Sequence, residues 1–145
     1  MHGIVVGVDG SQCAQRALNW AMEEAAVTGA VLTVITVNNA MAARMPGQPV
    51  PAHGDEAPLE QARQAAQEAT AKARSQLRVR EKQPARVSVL AVNGSPAKEL
   101  IDASRDADLL VVGARGHGGF PRLRLGSVSS QVTHHADCPV VVVPA

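Results

Sequence analysis

Aromatic residues are almost missing from this chain of 145 residues: Trp20 and Phe120 stand alone, and there is no Tyr. Proteins that grip single-stranded nucleic acid stack its bases on aromatic platforms, which two isolated rings do not provide. A dominant charge is missing too. The 14 Lys and Arg stand against 13 Asp and Glu, a formal net charge of +1, so bulk attraction to nucleic acid or an acidic membrane is not its means of recognition. Cysteine is scarce: Cys13 and Cys138 cannot build a disulfide scaffold and are expected to stay thiols in a reducing compartment. No apolar run approaches the ~20 residues that span a bilayer. Met1-His2-Gly3 leads straight into a strand-like run, without the basic and apolar segments of a signal peptide. The expectation left is a cytoplasmic protein with neither nucleic acid nor membrane as a partner. Its 46% hydrophobic and 19% charged content is that of one globular domain, 1–145.

What is present alternates in period. Ile4-Val5-Val6-Gly7-Val8 is short, β-branched and apolar throughout, as suits a strand buried on both faces. Ala14, Ala17, Leu18, Ala21, Met22 and Ala25 then repeat with helical spacing, with Ser11 as N-cap and Gly29 as stop. Val31–Val37 is a second strand. Asn38–Ala57 carries Pro46, Pro49 and Pro51 and reads as a long irregular connection. A helix is expected from Pro58 to Lys82, its buried side marked by Leu59, Ala62, Ala66, Ala69, Ala73 and Leu77. Val87–Val92 is the third strand, and Ser95-Pro96 starts the next helix. Leu109–Val112 is the fourth strand, Ser127 to His135 the last helix and Val140–Val143 the last strand. Strands alternating with helices predict a parallel sheet covered on both faces through right-handed crossovers.

Ligands of such sheets bind beyond the carboxyl ends of the strands, where the strand order reverses. Asp9 follows the first strand and Gly113 the fourth, so the two line one crevice if those strands are neighbours. Gly113-Ala114-Arg115-Gly116-His117-Gly118-Gly119 sets four glycines in seven residues, and Gly126-Ser127-Val128-Ser129-Ser130 then opens a helix. Glycines allow positive φ and close approach of a ligand to backbone N–H groups. A helix start with serine hydroxyls adds donors and a favourable dipole for an anion. With Arg115, Arg122 and Arg124 nearby, the ensemble suits phosphate; the plainer alternative is a glycine-rich surface loop with no ligand.

Other chemistry finds no support. GxxxxGK[ST], GxGxxG and GxSxG are all absent. His134 and His135 diverge by about 100° around a helix, and further ligands at workable spacing are lacking, so no metal site is expected. Cys13 and Cys138 read as small packing residues. No nucleophile or general base is well placed, so no catalytic residue is assigned.

Gly113-x2-Gly116-x9-Gly126-Ser127 matches the G-2x-G-9x-G-[S/T] signature of the ATP-binding branch of the universal stress protein family. Val5–Ser11 and His134–Val143 resemble the same family, and the resemblance runs from Ile4 to Val143 with the Pro-rich connection least matched. It implies a five-stranded parallel doubly wound sheet of order 3-2-1-4-5 with four helices, Rossmann-like and of the adenine nucleotide alpha hydrolase kind. It implies that Gly7 and Asp9 sit beside the adenosine end and that Val37 meets adenine through its backbone. Gly113, Ala114, Arg115, Gly116, His117, Gly118 and Gly119 would wrap ribose and phosphates, and Gly126, Ser127, Val128 and Ser129 would hold phosphates. The ligand implied is ATP, alone or with Mg2+. The role implied is a nucleotide-occupancy sensor in stress response, working as a homodimer paired through Val140–Val143 and with at most weak ATPase activity. A cyclic AMP-binding module and a slow ATP hydrolase remain open alternatives. Bulk at Gly113 and Gly126 is expected to block the ligand and leave the fold intact.

Overall fold

A computed structural model of the protein describes residues 3–39, 56–78, 81–116 and 125–145. Along them run β1 (Ile4–Val8), α1 (Gln12–Thr28), β2 (Val31–Asn38), α2 (Glu56–Ser75) and β3 (Arg86–Asn93). Then come α3 (Pro96–Ser104), β4 (Leu109–Gly113), α4 (Ser127–His135) and β5 (Val140–Val143). All strand pairs are parallel, and the order is β3-β2-β1-β4-β5, as the sequence resemblance implies. The chain runs from β1 outward through β2 and β3 on one side and then returns to β4 and β5 on the other, so β1 and β4 flank the reversal point.

The apolar runs are continuous because alternate residues serve two cores. Val6, Leu32, Val34 and Val111 face α1 and α2, where they meet Leu18 and Met22. Val5, Ile35, Leu110 and Val112 face α3 and α4, where they meet Leu100 and Val132. Leu18, Met22, Leu32 and Leu110 are fully buried, each stabilising the fold by about 1.5–3 kcal/mol relative to an exposed position.

Local signals fix most element ends. Ser11 Oγ accepts the Ala14 N–H at 3.1 Å, and Gly29 closes α1 in the left-handed region at φ 69°. Asn38 Nδ2 donates to Asn93 Oδ1 at 3.0 Å, clamping the ends of β2 and β3. The helix expected to reach Lys82 instead starts at Glu56 and ends at Ser75. Leu77 turns inward to pack against the first core, and Asn19 of α1 donates to Gln76 Oε1 at 3.0 Å. These tertiary contacts win over the helical propensity of the Arg- and Lys-rich continuation. Among the described residues, no helix is long and apolar enough to cross a membrane.

Candidate functional site

The site is built where β1 and β4 end side by side. After β1 the chain reverses into α1 through Gly10, whose φ of 85° favours a residue without a side chain. Asp9 Oδ1 accepts the Ser11 N–H at 2.9 Å, which orients the exposed carboxylate at the carboxyl end of the strand. From the β4 side, Gly116 comes against that carboxylate: a Cβ built on it would collide with Asp9 Oδ2. Asp9 and Gly116 thus face each other across the ends of β1 and β4, whereas Gly113, which the sequence reading set in one crevice with Asp9, has α1 as its neighbour.

The start of α4 is held against the same backbone. Gly126 N–H donates to the Ala114 carbonyl at 2.7 Å. The Ser129 hydroxyl, 2% exposed, donates to that same oxygen at 2.7 Å. Ala114 in turn donates its N–H to the Val143 carbonyl of β5 at 2.8 Å. The first-turn N–H groups of α4 lack partners within the helix and carry the positive end of its dipole. Ser127 adds an exposed hydroxyl. This arrangement can hold an anion above Gly116.

Several expected roles change in kind. Gly7 lies under α3, where a Cβ would sit 2.6 Å from Leu100 Cδ1, so its lack of a side chain serves packing. Ala114 spends both backbone polar groups on the fold. Ser129 likewise commits its hydroxyl to a protein carbonyl, leaving its N–H for a ligand. Val37 and Val128 turn their side chains to the second core, which leaves only their backbone for the site. Gly113 faces α1: a Cβ there would lie 2.9 Å from Cys13 Sγ and 3.0 Å from the Cys13 carbonyl oxygen. The expectation that bulk at Gly113 spares the fold is therefore corrected. At Gly126 the nearest atom would be the Ala114 carbonyl oxygen at 3.6 Å, an ordinary contact. Nor do the described loop glycines use positive φ; Gly113, Gly116 and Gly126 all lie outside that region. His117, Gly118, Gly119, Arg122 and Arg124 lie outside the described residues.

A cleft of about 510 Å³ opens beside Asp9, between the ends of β1 and β2 and the helices α1 and α2. Its volume is in the range of small-molecule sites. Gln15, Ala62 and Ala66 wall it, and Thr36 of β2 lines it. Sequence reasoning missed Thr36. The available signal was its parity with Leu32 and Val34, which puts it on the α1 and α2 face at the open end of β2.

The remaining candidates stand apart. The His134 and His135 rings are 6.3 Å apart and tilted by 53°. Cys13 is buried, and burial, followed by the Asp137 carboxylate, pushes the Cys138 thiol up from its ordinary pKa.

The sequence signature of the universal stress protein family matches residues 1–144. The chain belongs to that family. A universal stress protein of Mycobacterium tuberculosis is 34% identical over 142 residues, 98% of this chain and 48% of that protein. The chain thus spans about half the length of the curated relatives it matches. Among solved structures, a universal stress protein from Lactobacillus plantarum superposes with a TM-score of 0.71 at 26% identity, covering 98% of this chain and 97% of that one. A universal stress protein in complex with cAMP gives 0.66 at 27% identity over 97% of this chain and 94% of that one. One from Archaeoglobus fulgidus in complex with dAMP gives 0.61 at 25% identity over 97% and 96%.

Proposed function

We propose that this universal stress protein domain binds ATP across the ends of β1 and β4, and that occupancy of this site is the signal it carries in a cytoplasmic stress response. The observation that carries the reading is the convergence of the Asp9 carboxylate, the Gly116 backbone and the start of α4. Asp9 is suited to accept hydrogen bonds from ribose hydroxyls, and the cleft beside it to take the base. Gly126, Ser127 and the first-turn N–H groups of α4 are suited to phosphate oxygens. Gly113 and Arg115 flank that path. Relatives in complex with cAMP and dAMP support an adenine ligand at this fold. Among the described residues, no three His, Cys, Asp or Glu side chains come together as a metal cage, so Mg2+ in this reading travels with the phosphates. We assign no catalytic step. We also propose that two copies pair through β5.

Cyclic AMP is the second reading, favoured by the cAMP complex of a relative. It carries a single phosphate and would engage less of α4. Competition binding with ATP, ADP, AMP, cyclic AMP and adenosine separates the two. Losing a hydrogen bond to a charged group costs about 1.5–3 kcal/mol, so Ser127→Ala is expected to weaken ATP at least several-fold and to leave adenosine unchanged. Equal weakening of both would remove Ser127 from phosphate binding, and tighter binding of cyclic AMP than of ATP would reverse the assignment.

A further inference from the structure

Four polar side chains are buried among the described residues: Thr36, Thr70, Ser104 and Ser129. Three donate short hydrogen bonds to backbone carbonyls. Thr70 reaches Ala66 at 2.7 Å, Ser104 reaches Ile101 at 2.6 Å and Ser129 reaches Ala114 at 2.7 Å. Thr36 is the exception. It is 7% exposed, and among the described residues its hydroxyl makes no hydrogen bond to a protein group. A buried hydroxyl without a protein partner needs one from outside the chain, so its hydrogen bond is left for water or a ligand in the space it borders. Thr36 is also the buried hydroxyl that lines the cleft beside Asp9.

The surroundings narrow what that partner is. Thr36 sits beside Val8 in register and lies on the face of β2 that holds Leu32 and Val34. Ala62, Ala65, Ala66 and Ala69 of α2 stand along the cleft wall, with side chains too short to reach across it with a polar group. Gln15, Asn38, Glu68 and Lys72 also line the cleft, and Gln15 spends its amide N–H on the Ala69 carbonyl. A flat ligand sliding between the alanine wall and the strand ends would meet apolar surface along α2 and the Thr36 hydroxyl at the end of β2. That is the demand of a nucleobase: apolar rings with donors and acceptors around the rim.

We infer that Thr36 reads the edge of the base, its hydroxyl supplying a hydrogen bond at the strand end that the alanines of α2 cannot. It is a specificity-determining residue rather than a catalytic one, and the inference rests on the nucleotide reading above. A hydroxyl both donates and accepts, so it serves either a ring nitrogen or an exocyclic amine.

Thr36→Val keeps the shape and removes the hydroxyl. One neutral hydrogen bond corresponds to about a 3- to 10-fold change in affinity. ATP and adenosine are both expected to weaken by this factor in the variant, because both carry the base. Ser127→Ala, by contrast, is expected to weaken ATP alone. A second readout is thermal stability. Since the hydroxyl has no hydrogen-bond partner among the described residues, Thr36→Val is expected to melt at the same or a higher temperature than wild type without nucleotide, and to gain less in melting temperature than wild type at one fixed ATP concentration well above the wild-type Kd. Unchanged affinity for both ligands, or a variant that melts lower without ligand, would overturn the role of Thr36 while sparing the nucleotide site. A wild-type protein that binds neither ligand would overturn both proposals.

Discussion

A methyl group added at Gly113 would lie 2.9 Å from Cys13 Sγ and 3.0 Å from the Cys13 carbonyl oxygen, closer than side-chain carbons come without displacing something. Cys13 is buried at the start of α1, and its thiol donates to the Val143 carbonyl at 3.5 Å. The helix backbone cannot retreat without disturbing β1, β4 and β5 together. At Gly126 the same methyl would meet nothing nearer than 3.6 Å. Gly113→Ala is therefore expected to destabilise the free protein by about 1–3 kcal/mol, the usual cost of overpacking. Gly126→Ala should leave stability nearly unchanged and weaken ATP, because its methyl projects where an anion approaches α4. Denaturant titration together with ATP binding for the two single variants checks this. Equal stability losses, or full ATP affinity in Gly126→Ala, would contradict the division. The spacing Gly113-x2-Gly116-x9-Gly126 made all three glycines visible as a set. It could not reveal that one meets a helix, one a carboxylate and one open space, since those neighbours come from distant parts of the chain.

At the scale of elements, α4 depends on one carbonyl. Ala114 oxygen receives both the Gly126 N–H and the Ser129 hydroxyl, so the helix start cannot drift from the end of β4. Ser127 and Ser129 look equivalent in a serine-rich helix start, yet one faces out and the other is a staple. Helical geometry alone puts them about 200° apart. Ser129→Ala should lower the stability of the free protein by about 0.5–1.5 kcal/mol. Ser127→Ala should stay within about 0.5 kcal/mol, as exposed substitutions do. Matching stabilities for the two in urea titration would mean that the staple holds nothing. Most elements were legible because their periodicities and caps are local: the alternation of strand and helix, Ser11, Gly29 and Pro96. The end of α2 was not. Its Arg- and Lys-rich continuation favours helix, and only the inward turn of Leu77 and the Asn19–Gln76 bond stop it at Ser75. Thr36 was hidden for a related reason, because a threonine in a strand is ordinary until the cleft beside it is known.

At the scale of the whole molecule, β5 lies at one edge of the sheet, and the dimer proposed above pairs through it. Leu110 N–H donates to the Pro139 carbonyl and Ala114 N–H to the Val143 carbonyl. Odd-numbered residues of β5 thus turn their polar groups to β4, and Val140 and Val142 turn theirs outward. The strand carries no charge, and an uncharged apolar edge invites a partner. Pro139 and Pro144 bracket it, so pairing stops after a few residues and does not spread. A two-fold axis that sets two copies of β5 antiparallel satisfies the outward groups and closes the assembly. The test has to spare the interior. Val141 and Val143 pack against the α1 core and Val140 and Val142 against the α4 core, so a lysine at any of them also costs packing. Proline at Val142 keeps an apolar side chain against that core, though a smaller contact than valine's, and removes an outward N–H and no bond to β4. The wild type is expected to be a dimer by light scattering at micromolar concentration. Val142→Pro is expected to shift it toward monomer with its nucleotide affinity retained, because the proposed site lies at the ends of β1 and β4, away from the proposed interface. A monomeric wild type would end the dimer proposal, and a Val142→Pro protein that remains fully dimeric would move the interface away from β5.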